Sequence, residues 1–251
     1  MTEQYNELLT QLKQRNESTH VDIHIPSINE TIAVKPLSVK QQAAIITGVM
    51  KAEKDTNIYS YQNIIDEIII NNMKPEDVAR VLSFDRSSIL IQYRLLTMGD
   101  TIEIDGNTHD LEHHVQRVNN TELDVGCLSR QVVHEGVSVQ CNAVRLHDEL
   151  IVNKQVPTLY KNTTDRDQVS NVFLIELAKY ISSVSFDDNL INFAELNLKQ
   201  KIQICEMLPM SLSQLIVRFV EDLRSMESEY TTIDTGDDSV NIPVDSQLFD
   251  Q

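Results

Sequence analysis

Residues 21 to 105 carry the pattern that most constrains the fold of this chain. Two short segments, residues 21–25 and 31–35, alternate apolar and polar residues on either side of a turn at residues 26–30. A period of two predicts strands with one buried face, and the short turn between them predicts a β-hairpin. Pro36 then ends the second strand, because proline has no N–H to donate to a ladder.

The helices predicted elsewhere have start and stop signals. Ser38 and Gln41 have the spacing of a capping box, and Ser211 with Gln214 repeats that spacing before the last amphipathic helix. Gly99 is placed to end the helix that begins near Phe84. Apolar residues at helical spacing, three and four positions apart, define the predicted helices at 43–50, 58–69, 78–82, 84–98, 169–184, 198–208 and 212–223.

Between residues 101 and 157 the sequence pattern changes from helical spacing to short segments typical of strands. The segments TIEID, VSVQCNAVRL and ELIVN are rich in β-prone residues, and Gly106 with Asn107 forms a turn pair. We therefore predict short antiparallel strands in a β-rich insert.

Together these patterns predict an α+β fold. An N-terminal β-hairpin packs with an antiparallel sheet and several amphipathic helices, followed by the β-rich insert and a C-terminal helical hairpin. The predicted segments are an N-terminal arm, a first core segment, the insert, a helical second core segment and an acidic tail, at 1–18, 19–105, 106–157, 158–226 and 227–251.

The composition disfavours several functional classes. A formal net charge of −17 argues against a non-specific nucleic-acid surface, because phosphate affinity depends on clustered Lys and Arg. The 3 cysteines are scattered and include no CxxC pair, which argues against a disulfide framework and favours a reducing compartment. We recognise neither a signal peptide nor a membrane-spanning run, so a membrane partner is not expected.

The two ends of the chain offer the candidate docking surfaces. An apolar stripe on the predicted N-terminal helix either contacts a partner or packs on its own domain. The acidic tail ends in VNIPVDSQLF, which either pairs with a sheet edge or is disordered. The candidate partner-binding residues are Tyr5, Leu8, Leu9 and Leu12 at one end, and Ile242, Val244, Leu248 and Phe249 at the other.

One group of residues suggests metal chemistry. Zinc ligands usually occur as closely spaced pairs, and in the insert only His109 and His113 have a useful i,i+4 spacing. We therefore expect exposed histidines and predict no metal, cofactor or catalytic residue. The histidines and cysteines considered are His109, His113, His114, His134, His147, Cys127 and Cys141.

Other charged and hydroxyl residues have structural interpretations. Asp85–Arg86 and Arg94 bracket a helix whose dipole favours a carboxylate at its start and a cation at its end. Asp66 is expected with Glu67 on the polar side of its helix. Ser87 and Ser88 lack the GxSxG turn and the paired base of a serine hydrolase.

The segments VDIHIPSINETIAVKPLSVKQQAAII, NIIDEIIINN, FDRSSILIQYRLLTMGDTIEI and LPMSLSQLIVRFVEDL follow one another along the chain. In this order they resemble the baseplate protein family of T-even bacteriophages, which includes the baseplate hub subunit and the hub-assembly factor. The resemblance is best over residues 1–100, returns at 196–223 and in VNIPVDSQLF, and is weakest at 106–156. Some relatives carry Cys pairs in the middle segment, whereas Cys127 and Cys141 are too far apart to match.

The resemblance implies a non-enzymatic viral protein that acts in assembly of the baseplate central hub, as an assembly chaperone or a minor hub component. Its partners would be other tail or hub proteins, including the tape-measure protein, and a homo-oligomer is compatible. It would act in the cytoplasm of the infected bacterium or within the virion tail baseplate. Two alternatives stay open: a permanent structural subunit of the virion, and a metal-binding regulatory module centred on the histidine-rich insert.

Overall fold

The computed structural model describes residues 2–52, 57–160, 165–187, 189–235 and 238–249. Pairs of strands are interspersed among the helices along these ranges. The described helices are α1 (Thr2–Ser18), α2 (Val39–Ala52), α3 (Ser60–Asn72), α4 (Pro75–Val78), α5 (Arg86–Met98), α6 (Leu111–Asn119), α7 (Leu146–Tyr160), α8 (Asp165–Tyr180), α9 (Leu198–Met207) and α10 (Met210–Thr231).

The described strands form antiparallel sheets, which confirms the predicted α+β class. Three sheets are hairpins, and the fourth joins β5, β6, β7 and β8 in that order. The strands are β1 (Val21–Ile25), β2 (Glu30–Val34), β3 (Thr101–Ile104), β4 (Asn107–Asp110), β5 (Ser129–His134), β6 (Val137–Asn142), β7 (Ile181–Phe186), β8 (Asn189–Asn192), β9 (Thr232–Asp234) and β10 (Ser239–Asn241).

The predicted N-terminal hairpin, β1–β2, forms one wall of the first hydrophobic core. Ile23 pairs with Ile32 across the ladder, and both side chains are buried against residues of α2, α3 and α5. The predicted capping box at the start of α2 is confirmed: the Ser38 N–H donates to Gln41 Oε1 at 2.9 Å, and the Gln41 N–H donates to Ser38 Oγ at 3.3 Å. Local sequence signals therefore predicted the hairpin and the start of α2, both of which line the first core.

The four-stranded sheet builds a second core with α8, α9 and α10. Val132, Val139 and Val184 form a row across β5, β6 and β7, and all three are buried in that core. Phe219 of α10 is fully buried in the same cluster. The two predicted C-terminal helices are confirmed as α9 and α10, which are joined at residues 208–209, although α9 packs mainly against α8.

Four local predictions are wrong. The helix predicted at residues 78–82 is α4, which already ends at Val78, and Leu82 instead forms a β-bridge with Arg145. The segment ELIVN, predicted as a strand, lies within α7, where Leu150 and Val156 are buried, because packing overrode its β-prone composition. The helix predicted to reach Val184 ends at Tyr180, since the residues that follow join the sheet as β7. Ser211 does not cap α10, which begins one residue earlier with Pro209 as its N-cap.

The acidic tail returns to the first core. Its first residues, to Thr231, continue α10, and β9 then pairs with β10 rather than with the edge of another described sheet. A short turn at Ser246–Phe249 follows, and Leu248 and Phe249 are buried in the core that contains β1 and β2.

The predicted boundary between the insert and the second core segment divides one sheet. The hairpin β5–β6 shares a sheet with β7–β8, so the boundary at 157/158 falls between strands of that sheet.

Candidate functional site

The arm α1 carries an uncovered apolar stripe. Every side chain of α1 that the structure describes is exposed to solvent. Tyr5 is 61% exposed, and Leu8, Leu9 and Leu12 are 55%, 36% and 47% exposed. Their spacing places all four on one side of the helix over about 10 Å. The structure therefore does not pack this stripe on the protein's own domain.

The candidate docking residues at the C-terminal end lie elsewhere. Ile242, Leu248 and Phe249 are buried in the first core, and Val244 is partly buried against it. In this structure they are core residues rather than surface residues, because they pack against apolar side chains of α2, α5 and the hairpin β1–β2. Those contacts could not be predicted from composition. Contact of these residues with another protein stays a prediction.

The interior contains a network of charges that the sequence did not suggest, which we call the ionic junction. Arg86 of α5 donates from Nε to Asp66 Oδ1 at 2.6 Å and from Nη2 to Glu149 Oε2 at 2.6 Å. Lys179 Nζ donates to Glu149 Oε1 at 3.2 Å and to Glu176 Oε1 at 2.6 Å. The five residues link α3, α5, α7 and α8.

Burial and pairing act against each other in this junction. The side chains of Asp66 and Lys179 are fully buried, and that of Glu149 is 7% exposed. Burial acts to raise the pKa of Glu149, but Arg86 and Lys179 outweigh it and lower that pKa to about 2. For Asp66 burial prevails over the pair with Arg86 and raises the pKa to about 6.

A cavity of about 420 Å³ lies beside the junction, lined in part by Arg86, Glu149, Glu176 and Glu227. The Ser87 hydroxyl donates to Glu227 at 2.6 Å, but Ser87 is buried, and burial raises the pKa of that glutamate. Ser87 is not among the residues that line this cavity, so its hydroxyl is not presented to a substrate there, and we interpret its bond to Glu227 as a structural contact. We interpret the junction as the contact that holds the helices of the two cores together.

The charges around α5 also have structural partners. Asp85 is fully buried and accepts hydrogen bonds from the Ser27 N–H, the Ser27 hydroxyl and the Leu82 N–H at 2.9, 2.6 and 2.9 Å. It therefore ties the turn of the first hairpin to the start of α5. Arg94 donates to the carbonyls of Gly99 and Thr101 at 3.2 and 3.1 Å, as a cation at a helix end is expected to do.

Asp66 is the clearest residue that sequence reasoning missed. It was expected beside Glu67 on a solvated side of α3, yet its side chain is fully buried. Its only local signal is a position between Ile65 and Ile69 in an apolar helix, and its partner Arg86 lies 20 residues away along the chain. Two charged residues so far apart in the sequence form no periodic pattern from which their pairing could be predicted.

The histidines and cysteines of the insert are dispersed over several elements. His109 lies on β4, and His114 on α6 is buried with its ring Nε2 2.8 Å from the Tyr230 carbonyl oxygen. Cys141 is buried in the second core, and burial raises its pKa to about 12. Among the described residues no three His, Cys, Asp or Glu side chains are grouped to hold a metal ion.

In the ranges that the structure describes, none of the helices is both long and apolar enough to cross a membrane.

Comparisons with known proteins identify the family. No curated protein and no solved structure gives a significant match to the chain. A family model described as "T4 bacteriophage base plate protein" matches residues 17–246, which is most of the chain and agrees with the resemblance of its segments. The protein is therefore a bacteriophage baseplate protein and belongs to the T4 bacteriophage base plate protein family.

Proposed function

We propose that this protein acts in assembly of the baseplate central hub by docking other tail proteins, without catalysing a reaction. The exposed apolar stripe of α1 is the observation that carries the proposal. The family match begins at residue 17, whereas α1 begins at Thr2, so the stripe precedes the matched range. A baseplate protein with its own docking arm would select a particular partner within the tail.

Physical considerations favour a groove on another protein as the surface that covers this stripe. An isolated helix of 17 residues is only marginally stable in water. Burying a large apolar side chain stabilises a fold or a complex by about 1.5–3 kcal/mol. The exposed side chains of the stripe do not contribute this free energy to the fold. Anchors at positions i, i+3, i+4 and i+7 are the pattern of a helix that binds in an apolar groove. A hub subunit or the tape-measure protein would supply that groove.

The test of the docking arm uses the full-length protein during infection. We expect the triple variant Leu8→Gln, Leu9→Gln and Leu12→Gln to bind its tail partner at least about 100-fold more weakly, because three apolar anchors are lost while helix propensity is kept. Quantitative mass spectrometry of affinity-captured complexes measures the change.

Glu7 and Gln14 lie on the side of α1 opposite the stripe and are also exposed. The double variant Glu7→Gln and Gln14→Ala is therefore the matched control, and it should recover the same tail proteins as the wild type. Unchanged recovery with the triple variant would refute the docking arm.

A second measurement separates the roles within assembly. Mass spectrometry compares purified virions with infected-cell lysate. A fixed copy number in virions supports a minor hub component or a permanent structural subunit. Presence in the lysate with absence from virions supports an assembly chaperone that acts in the host cytoplasm and leaves.

A further inference from the structure

The outer strand of the four-stranded sheet has a free edge. Among the described residues β8 pairs with β7 alone, and each of its side chains is exposed. Leu190 and Ile191 are 71% and 41% exposed, and Phe186 at the end of β7 is 54% exposed. A strand edge of this kind is a template for another strand, because half of its backbone N–H and C=O groups point outward.

The opposite edge of the same sheet is protected. Arg130 of β5 pairs with Asp222 of α10 at 2.8 Å, and its guanidinium lies 5.4 Å from the centroid of the Phe219 ring. A charged residue on the strand and a helix against it both oppose pairing with another chain. The sequence of β8, NLIN, contains neither a charge nor a proline. The two edges are therefore not equivalent.

The register shows which groups of β8 face outward. Phe186 pairs with Asn189 across the turn, and the pair that closes such a short hairpin is hydrogen-bonded. Bonded and non-bonded pairs alternate along an antiparallel ladder, so Ser185 and Leu190 form a non-bonded pair. The N–H and C=O of Leu190 therefore point to the free edge, as do those of Asn192.

Charge distinguishes between the possible occupants of this edge. Residues 180–198 contain Asp187, Asp188 and Glu195 but no Lys or Arg. Two copies of the chain paired antiparallel through β8 would bring these acidic ends together, and like-charge repulsion opposes that arrangement. A strand with Lys or Arg beside its apolar residues would be attracted to the same edge.

We propose that β8 is a second docking site, which binds one extended segment of another baseplate protein by strand addition. The segment alternates apolar and polar residues over about four to six positions and carries Lys or Arg at an end. Its side chains lie beside Leu190 on one face of the sheet and beside Ile191 on the other. This site is separate from α1 and does not depend on the role of the arm.

Photo-cross-linking in the full-length protein during infection tests the site. Leu190 is replaced by p-benzoylphenylalanine, and the matched control carries the same replacement at Val133, which is 60% exposed on β5. We expect position 190 to cross-link to a basic, alternating segment of another baseplate protein, and position 133 not to do so. A cross-link to a second copy or to an acidic or helical segment would overturn the proposal, as would no cross-link or the same product at both positions.

A pair of variants then tests the backbone contact. Leu190→Pro removes the outward N–H, which the ladder with β7 does not use, whereas Leu190→Thr keeps it. Affinity capture then measures how much of the partner identified by cross-linking is recovered with each variant. We expect this recovery to fall at least about tenfold with proline and clearly less with threonine. Circular dichroism checks that both variants are folded. Equal recovery with the two variants would show that the contact is not strand addition.

Discussion

The ionic junction and the arm α1 use side chains in opposite ways. In the junction, the side chain of Lys179 is fully buried and that of Arg86 is 16% exposed, and each pairs with carboxylates of the same chain. In the arm, apolar side chains such as Leu8 stay exposed. Stability of the fold alone would favour buried apolar side chains and exposed charges, because burial of apolar surface stabilises the folded state and burial of charge destabilises it. The polar interior therefore serves the fold, and the exposed apolar stripe is consistent with the docking role that we propose for the arm.

Arg86→Met is the largest expected perturbation of the junction. It leaves the carboxylates of Asp66 and Glu149 buried without their shared cation, and removing one partner of a buried pair costs about 3–5 kcal/mol. Urea unfolding measures the loss. Arg80→Met is the control, because its pair with Glu30 is at the surface and should contribute little. Equal losses in the two variants would contradict a special role for the buried network.

Phe249→Ala tests whether the end of the tail belongs to the core. Phe249 is 2% exposed, and truncating a buried phenylalanine is expected to lower the free energy of unfolding by about 3 kcal/mol. Leu12→Ala in the arm is the contrasting variant and should leave that free energy nearly unchanged, because Leu12 is 47% exposed. A comparable loss in both variants would mean that the arm packs on its own domain.

The last expected effect is that of Glu149, and it depends on pH. Its pKa is lowered from 4.5 to about 2 in the folded state, because Arg86 and Lys179 outweigh the effect of burial. A carboxyl with a lowered pKa stabilises the folded protein above its ordinary pKa, and this contribution is lost as pH falls through the folded value. Between pH 4.5 and about 2, stability should therefore fall less steeply in Glu149→Gln than in the wild type.

Chemical unfolding at a series of pH values measures this slope. Glu67→Gln is the control, since Glu67 pairs with Lys154 at the surface. Parallel slopes for wild type and Glu149→Gln would show that this carboxyl has no pH-linked role in the junction.

Short-range patterns predicted much of the secondary structure. The period of two in β1 and β2, the capping box of Ser38 and Gln41 and the stop at Gly99 all depend on residues within a few positions of one another. The exposed stripe of α1 was also visible as a pattern. Composition misled where packing overrode propensity, as in the segment ELIVN, which lies in α7 with Leu150 buried.

The sequence by itself determined the hairpin, most of the helices and the family resemblance, because each rests on the order and spacing of neighbouring residues. Only the tertiary structure decided which charges are buried, that Leu248 and Phe249 complete the first core, and that the arm and β8 stay uncovered. These outcomes depend on segments far apart in the chain, such as Arg86 and Glu149, which are 63 residues apart. No local pattern encodes which distant surfaces meet.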